Sequence, residues 1–395
     1  MKNVCFYFQV HQPMRLGRFR AFDRSCGNPV DDYFDTEKNK AIFKRVAERC
    51  YYPANDMMLR LIDACGRDFR ISYSLSGTFI EQALLFDGGV IDSFRELAKT
   101  GCVEFLQETY YHSLAGLYED QTEFTEQVAE HKRVMRNEIG VTPRVFRNTE
   151  LIFDNRIAGT IKNLGYEGIV TEGTERILGS RLPNYLYEPS SVPGIKVLLK
   201  NYRLSDDVAF RFGDRGWNEY PLFADKYARW LAASPGETIN LFMDYETFGE
   251  HQWKETGIFG FMEKLPEEMR GYDDLRFATP SECIDSLEAK GRIDAPFAIS
   301  WADSERDVSA CLDNRMQQYA FNTLRDMRDA VLKTGNRQIK HAWRLLQTSD
   351  HYYYCSTKFF ADGDVHTYFS PYDNPYDAFI NYLNVITDLQ RLVGY

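Results

Sequence analysis

Seven short runs rich in β-branched and aromatic residues recur through the first 280 positions, with helix-like stretches between them. The runs are residues 4–10, 69–75, 102–106, 144–148, 168–171, 239–244 and 275–278, with 197–199 as a further candidate. Residues 92–99, 123–139 and 155–164 carry helical spacing. Strand alternating with helix requires crossover connections, which predicts an α/β fold with a mostly parallel sheet. Polar groups follow each run: His11; Ser74 and Ser76; Glu104 and Glu108; Glu150; Thr171 and Glu172; Asp244 and Glu246; then Thr279, Ser281 and Glu282. Polar side chains gathered at the C-terminal ends of successive parallel strands mark the active face of a β/α barrel. The strand count predicts an irregular seven-stranded one.

From about residue 290 the texture changes. Val308, Cys311, Leu312, Met316, Tyr319, Ala320, Leu324, Met327 and Val331 recur at three- and four-residue spacing, which predicts one long amphipathic helix. Residues 339–346 and 376–393 share that pattern, and loops are expected at 349–354 and 362–375. The organisation expected is a barrel domain over 1–288 and a C-terminal helical domain over 289–395 packed on it.

Composition narrows the partners. A formal net charge of -11 argues against nucleic acid and anionic membrane surfaces, which need a basic face. There is no apolar run of about 18 residues. The apolar N-terminal stretch is short, lacks a small-residue cleavage site and runs straight into His11-Gln12-Pro13. It reads as a first strand, and the protein as cytoplasmic. The eight cysteines are scattered without a CxxC pair, which favours reduced thiols over disulfides or a zinc site.

Five segments carry candidate chemistry. Pro13 fixes a turn that aims His11 toward the barrel mouth, either as a sugar contact or as a histidine satisfied by local backbone. Glu104 lies in an otherwise apolar strand and needs a partner, so it is a ligand contact or half of an internal ion pair. Tyr110-Tyr111-His112-Ser113 follows as a polar aromatic rim. The run 145–150 ends in Glu150, and 243–252 holds Asp244 and Glu246 one residue apart. If Asp244 belongs to the strand, those two side chains point the same way. Two acids on facing strands are the minimum equipment for glycoside hydrolysis; metal ligation and structural ion pairing are the competing explanations. Thr279-Pro280-Ser281-Glu282 reads as a capped helix start with a substrate role left open. Trp217, Trp253 and Trp301 are candidates for sugar stacking or for the core.

Taken in order, residues 11–13, 101–104, 147–150, 244–251 and 279–282 resemble the five sequence regions of glycoside hydrolase family 57. No one region is specific; five in the right order are. The resemblance implies a seven-stranded barrel, retaining chemistry on α-glucans or maltooligosaccharides, and no required metal or other cofactor. It implies Glu150 as nucleophile, Asp244 as general acid/base, and His11, Glu104, Glu246 and Asp350 at substrate-contacting positions; His251, in the fourth region, and Trp301, as an aromatic platform, complete the candidate substrate-binding set. The form of the fourth region is similar to α-amylase-type members. Two departures stand out: Gln9, where some members have a histidine, and Arg147, where some have a tryptophan. A 4-α-glucanotransferase or branching enzyme would use the same pair. A metal-dependent carbohydrate deacetylase and a non-catalytic glycan-binding module are the more distant alternatives.

Overall fold

The protein is described here by a computed structural model covering residues 1–358 and 370–395. The stretch expected as a loop at 362–375 therefore lies outside the described residues up to 369. The described residues hold ten strands: β1 (Lys2–Val10), β2 (Ile71–Leu75), β3 (Val103–Phe105), β4 (Val145–Arg147), β5 (Gly168–Thr171), β6 (Glu188–Pro189), β7 (Lys196–Leu199), β8 (Thr238–Asp244), β9 (Leu275–Phe277) and β10 (Arg292–Ile293).

Every strand pair is parallel, as crossover connections require. One sheet runs β3-β2-β1-β8 with β9 also on β1; a second runs β4-β5-β7; β6 and β10 form a third. Two single parallel bridges lie between the first two sheets, Gln107 to Phe146 and Lys200 to Asn240. The 197–199 candidate is a full strand, paired along its length with β5.

The 275–278 run differs from expectation. β9 pairs only with Lys2–Val4, while β2 takes Tyr7–Val10. Ala278 N–H donates to the Val4 carbonyl at 3.0 Å. Thr279, Ser281 and Glu282 therefore begin their helix level with the start of β1, at the opposite end from His11.

Side-chain alternation sorts each strand into two faces. Cys5 and Tyr7 of β1 join Val145, Val170, Leu198 and Phe242 in an inner cluster. Phe6, Phe8 and Val10, with Leu241 and Met243 of β8, pack outward among the helices. Continuing the inward rows toward the C-terminal strand ends, the next residues are polar: Gln9 after Tyr7, Arg147 after Val145 and Asp244 after Phe242. The apolar floor thus gives way to a charged layer.

The single helix expected across 308–331 is three: Ser309–Leu312, Arg315–Asp326 and Arg328–Lys333. Asn314 restarts it. Its side chain caps the Met316 and Gln317 N–H groups while the Gln317 side chain accepts from the Asn314 N–H, a reciprocal box strong enough to break the run. The loop expected at 349–354 contains a short helix, Ser349–Tyr353. Phe146, Ile157 and Ile169 share one core cluster with Leu324, Trp343, Tyr352 and Val385. The C-terminal helices are therefore packed into the strands. Arg344 fastens them further, reaching Glu123 at 2.7 Å, Glu126 at 2.5 Å and Glu130 at 2.9 Å on the helix Thr122–Val134.

Candidate active site

Glu150 leaves β4 in a left-handed turn, with φ of 52° at Glu150 and 49° at Leu151. Such conformations cost non-glycine residues about 1–3 kcal/mol each and persist where surroundings enforce them. Here the Glu150 carbonyl accepts from the Trp301 N–H at 3.1 Å and the Ser300 hydroxyl at 2.9 Å. The Leu151 carbonyl accepts from Thr171 at 2.8 Å. The Glu150 carboxylate accepts from the Trp301 indole at 2.9 Å and from the Ser349 hydroxyl at 3.0 Å, with His112 Nε2 at 3.4 Å. About a quarter of its side chain still meets solvent (24 %), so a reactant can reach it. Burial alone would raise its pKa. The hydrogen bond and charge of His112, with Arg147, outweigh burial and hold the group below its ordinary value.

His112 also sits at positive φ, 48°. Its Nδ1 lies 2.9 Å from Glu108, so the ring bridges two carboxylates. Burial would lower its pKa, but the bonds to Glu108 and Glu150 raise it to about 9, and the ring is an imidazolium at neutral pH. Glu108 is correspondingly drawn down to about 2, against its own burial. Gln9 donates to the other Glu108 oxygen at 3.2 Å. His11 stacks on His112 at 3.9 Å, and burial together with that neighbouring charge keeps it neutral. It donates from Nε2 to Asp350 at 2.9 Å and accepts from Ser76 at Nδ1, 2.7 Å away. Burial would raise Asp350, yet His11 and His112 hold it well below the ordinary carboxylate range.

Asp244 is the last residue of β8, and among the described residues no side chain hydrogen-bonds its carboxyl. Burial, then the charge of Glu150, push it up to about 6. Glu246 lies beyond the strand in the turn Tyr245–Thr247, so strand alternation does not orient it. The Tyr51 hydroxyl donates to it at 2.6 Å, and burial plus Asp244 raise it to about 8. His251 N–H closes the same turn on the Glu246 carbonyl at 2.9 Å, and burial lowers its ring to about 4.

Trp301 is held between two cations, Arg147 at 5.3 Å and Lys200 at 5.0 Å from its ring. Lys200 is anchored by Asp206 at 3.1 Å and Glu172 at 3.9 Å. The structure thus brings His11, Glu150, Trp301 and Asp350 into one network, with Asp244 coupled to it by charge and Glu246 to Asp244. Glu104 does not join them. Its carboxylate accepts from the Ser281 N–H at 2.9 Å and hydroxyl at 2.5 Å, capping the helix after β9 at the far end of the strands. Trp217 packs edge-on against Trp230, and Trp253 is exposed. Lys200 and Ser349 gave no signal in the sequence, and the central place of His112 depends on a left-handed turn that spacing does not reveal. Among the described residues, no group of three or more His, Cys, Asp or Glu is arranged to hold a metal ion.

Glycosyl hydrolase family 57 matches residues 5–296 of the chain. A Methanocaldococcus jannaschii protein named "Putative alpha-amylase" is 48% identical over 400 residues, covering 99% of this chain and 84% of that protein. A family 57 branching enzyme from Thermococcus kodakaraensis superposes with a TM-score of 0.70 at 13% identity, over 99% of this chain and 90% of that one. The 4-alpha-glucanotransferase of Thermococcus litoralis gives 0.55 at 15% identity over 87% of this chain, which spans 46% of that enzyme's length. At these identities the two structures speak to fold alone.

Proposed function

The chain belongs to glycosyl hydrolase family 57 and is a glycoside hydrolase, and from that premise we propose that it cleaves α-1,4-glucan linkages with retention, using Glu150 as nucleophile and Asp244 as general acid/base. One observation carries this: Trp301, Ser349 and His112 engage the Glu150 carboxylate while Asp244 meets burial and the charge of Glu150, so the two acids are pushed apart, Glu150 below its ordinary value and Asp244 up to about 6. A retaining glycosidase needs that split, because one carboxylate attacks carbon while the other carries a proton.

Asp244 donates its proton to the glycosidic oxygen as Glu150 attacks the anomeric carbon through an oxocarbenium-like transition state. A covalent glycosyl ester on Glu150 results. Asp244, now a base, takes a proton from water, which opens the ester. The Trp301 indole, Ser349 hydroxyl and His112 aim Glu150 and keep it ionised. His11, Glu246, His251, Trp301 and Asp350 are proposed to line the sugar site; Glu104, bound to Ser281, is left out of that set. A sugar hydroxyl in place of water would turn the same steps into transfer or branching. The name of the 48%-identical relative favours hydrolysis.

The two single bridges between the main sheets support reading β1, β2, β3, β4, β5, β7 and β8 as one closed seven-strand barrel, irregular at those two seams. We take 1–288 as the catalytic domain and 289–395 as a helical domain packed on it, the two sharing one apolar cluster. No helix among the described residues is long and apolar enough to cross a membrane. Six of the eight cysteines are buried as free thiols, which suits a reducing compartment, and we place the protein in the cytoplasm.

The test is incubation with maltooligosaccharides and analysis of product length and anomeric form. Shortened α-products are expected. Glu150→Gln and Asp244→Asn should each lower kcat by about a thousandfold or more, as loss of a nucleophile or proton donor does. Turnover of Glu150→Gln within tenfold of wild type would sink the assignment.

A further inference from the structure

Arg147 is the departure from the family pattern that the proposed mechanism leaves unused. It is fully buried, at 0% exposure, on the inward row of β4. One guanidinium nitrogen, Nη1, lies 3.4 Å from His112 Nδ1 and 3.8 Å from Glu108. Its Nε and Nη2 have no hydrogen-bond partner among the described residues. Arginine cannot shed its proton in a protein, so this is a permanent charge placed where charge is expensive. Packing does not explain it, since an apolar side chain would fill the same row at lower cost.

The groups around it are the reacting ones. Glu108 and His112 face it from the segment after β3, Tyr7 from β1, Asp244 from β8, and Glu150 lies three residues further along its own chain. The Trp301 ring separates it from Lys200, which is itself paired with Asp206 and Glu172. Asp350 and His11 lie beyond His112 in the same network. We propose, resting on the functional reading above, that Arg147 is a positioning residue whose fixed charge, acting on Glu150 and Asp244 together, sets the pH range over which the pair works. Its charge lowers both acids. Without it Glu150 would ionise later, and Asp244 would keep its proton to higher pH. The enzyme's working window would then move upward as a whole. A purely structural Arg147 would leave the window in place and lower only its height.

The experiment is the pH profile of kcat/KM on a maltooligosaccharide for wild type, Arg147→Met and Arg147→Lys, with Glu150→Gln and Asp244→Asn alongside. Both limbs should move up by about one pH unit in Arg147→Met and return to within a few tenths in Arg147→Lys, as removal and restoration of a nearby charge predict. Arg147→Gln, which keeps an amide donor, is the second variant if the methionine form does not fold, with the same shift expected. Folded variants with unmoved limbs overturn the proposal while leaving the functional reading intact. Undiminished turnover in Glu150→Gln and Asp244→Asn overturns both.

Discussion

At the scale of single residues, the two proposed catalytic acids are distinguished by their company. Asp244 ends β8 and Glu150 sits in the turn just past β4, but Glu150 meets an imidazolium, an indole and a hydroxyl, and Asp244 meets burial and a like charge. The profile of kcat/KM follows from this. Activity should rise with pH along a limb below 4.5, as Glu150 ionises, and fall through about 6, as Asp244 loses its proton. A plateau extending beyond pH 8 would contradict it. The same raised pKa bears on stability. Between the unfolded value near 4 and the folded value near 6, the folded chain holds a proton that the unfolded chain releases, so stability falls as pH rises through that window. Asp244→Asn removes the penalty. It should stabilise the protein by of the order of 2 kcal/mol at pH 7.5 and by almost nothing at pH 3.5, measured as urea unfolding at the two pH values. The placement of both acids was legible in the sequence because a polar residue after a β-rich run marks a strand end. Their unequal environments were not, since His112, Trp301 and Ser349 come from 38 residues upstream to 199 downstream of Glu150.

At the scale of elements, position along the strand decided which expected residues reached the site. Glu104 and Glu108 are both on the segment around β3, yet only Glu108 lies at the charged end; Glu104 is four residues lower and caps a helix. Periodicity announces a strand without saying how far it extends past its neighbour, and β9 shows the consequence, pairing at the wrong end of β1 to bring Ser281 to the mouth. The short helix Ser349–Tyr353 was hidden for another reason: five residues give too little period, and it forms because neighbours hold it. Thr348 bridges to Ser113, and Ser349 N–H donates to the His112 carbonyl at 2.9 Å. That contact fixes the Ser349 hydroxyl on Glu150. Ser349→Ala removes one hydrogen bond to a charged group, worth about 1.5–3 kcal/mol. It should therefore cut kcat/KM roughly ten- to a hundredfold and move the acid limb upward, with the unfolding midpoint little changed. Loss of activity with an unmoved acid limb would mean that Ser349 positions sugar and not Glu150. A second element contact can be weighed the same way. Arg344→Met leaves Glu123 buried, 1% exposed, with only Gln127 at 2.9 Å and Arg328 at 3.6 Å among the described residues, and should cost up to about 3–5 kcal/mol in urea unfolding. Adding Glu123→Met should recover most of that, because a buried pair replaced by apolar groups is often neutral.

At the scale of the whole molecule, the change of texture near residue 290 is real in sequence but does not mark an independent core. The strand region and the C-terminal helices divide one apolar cluster between them: Phe146 and Ile169 of the strands with Ile157 of the helix Asn155–Asn163 on one side, Leu324, Trp343, Leu346 and Val385 on the other, all at most 2% exposed. Sequence reveals an apolar face on each helix and each strand, but not which faces meet, so two regions with separate signatures can still fold as one body. The candidate site depends on that meeting, because Ser349 and Asp350 enter it from the C-terminal region while Glu150 and His11 come from the strand region. A chain ending at residue 288 would uncover the strand-side half of this cluster, leave Glu123 without Arg344, and strip Glu150 of both the Trp301 indole and the Ser349 hydroxyl. Exposed apolar surface of that extent drives association, so the truncated chain should aggregate, show no cooperative thermal transition and release no product from maltooligosaccharides. The full chain should instead unfold in one transition, because loss of either half exposes the other. A soluble 1–288 fragment with a sharp transition would show that the strands hold themselves together, and residual turnover in it would show that Ser349, Asp350 and Trp301 are dispensable to Glu150.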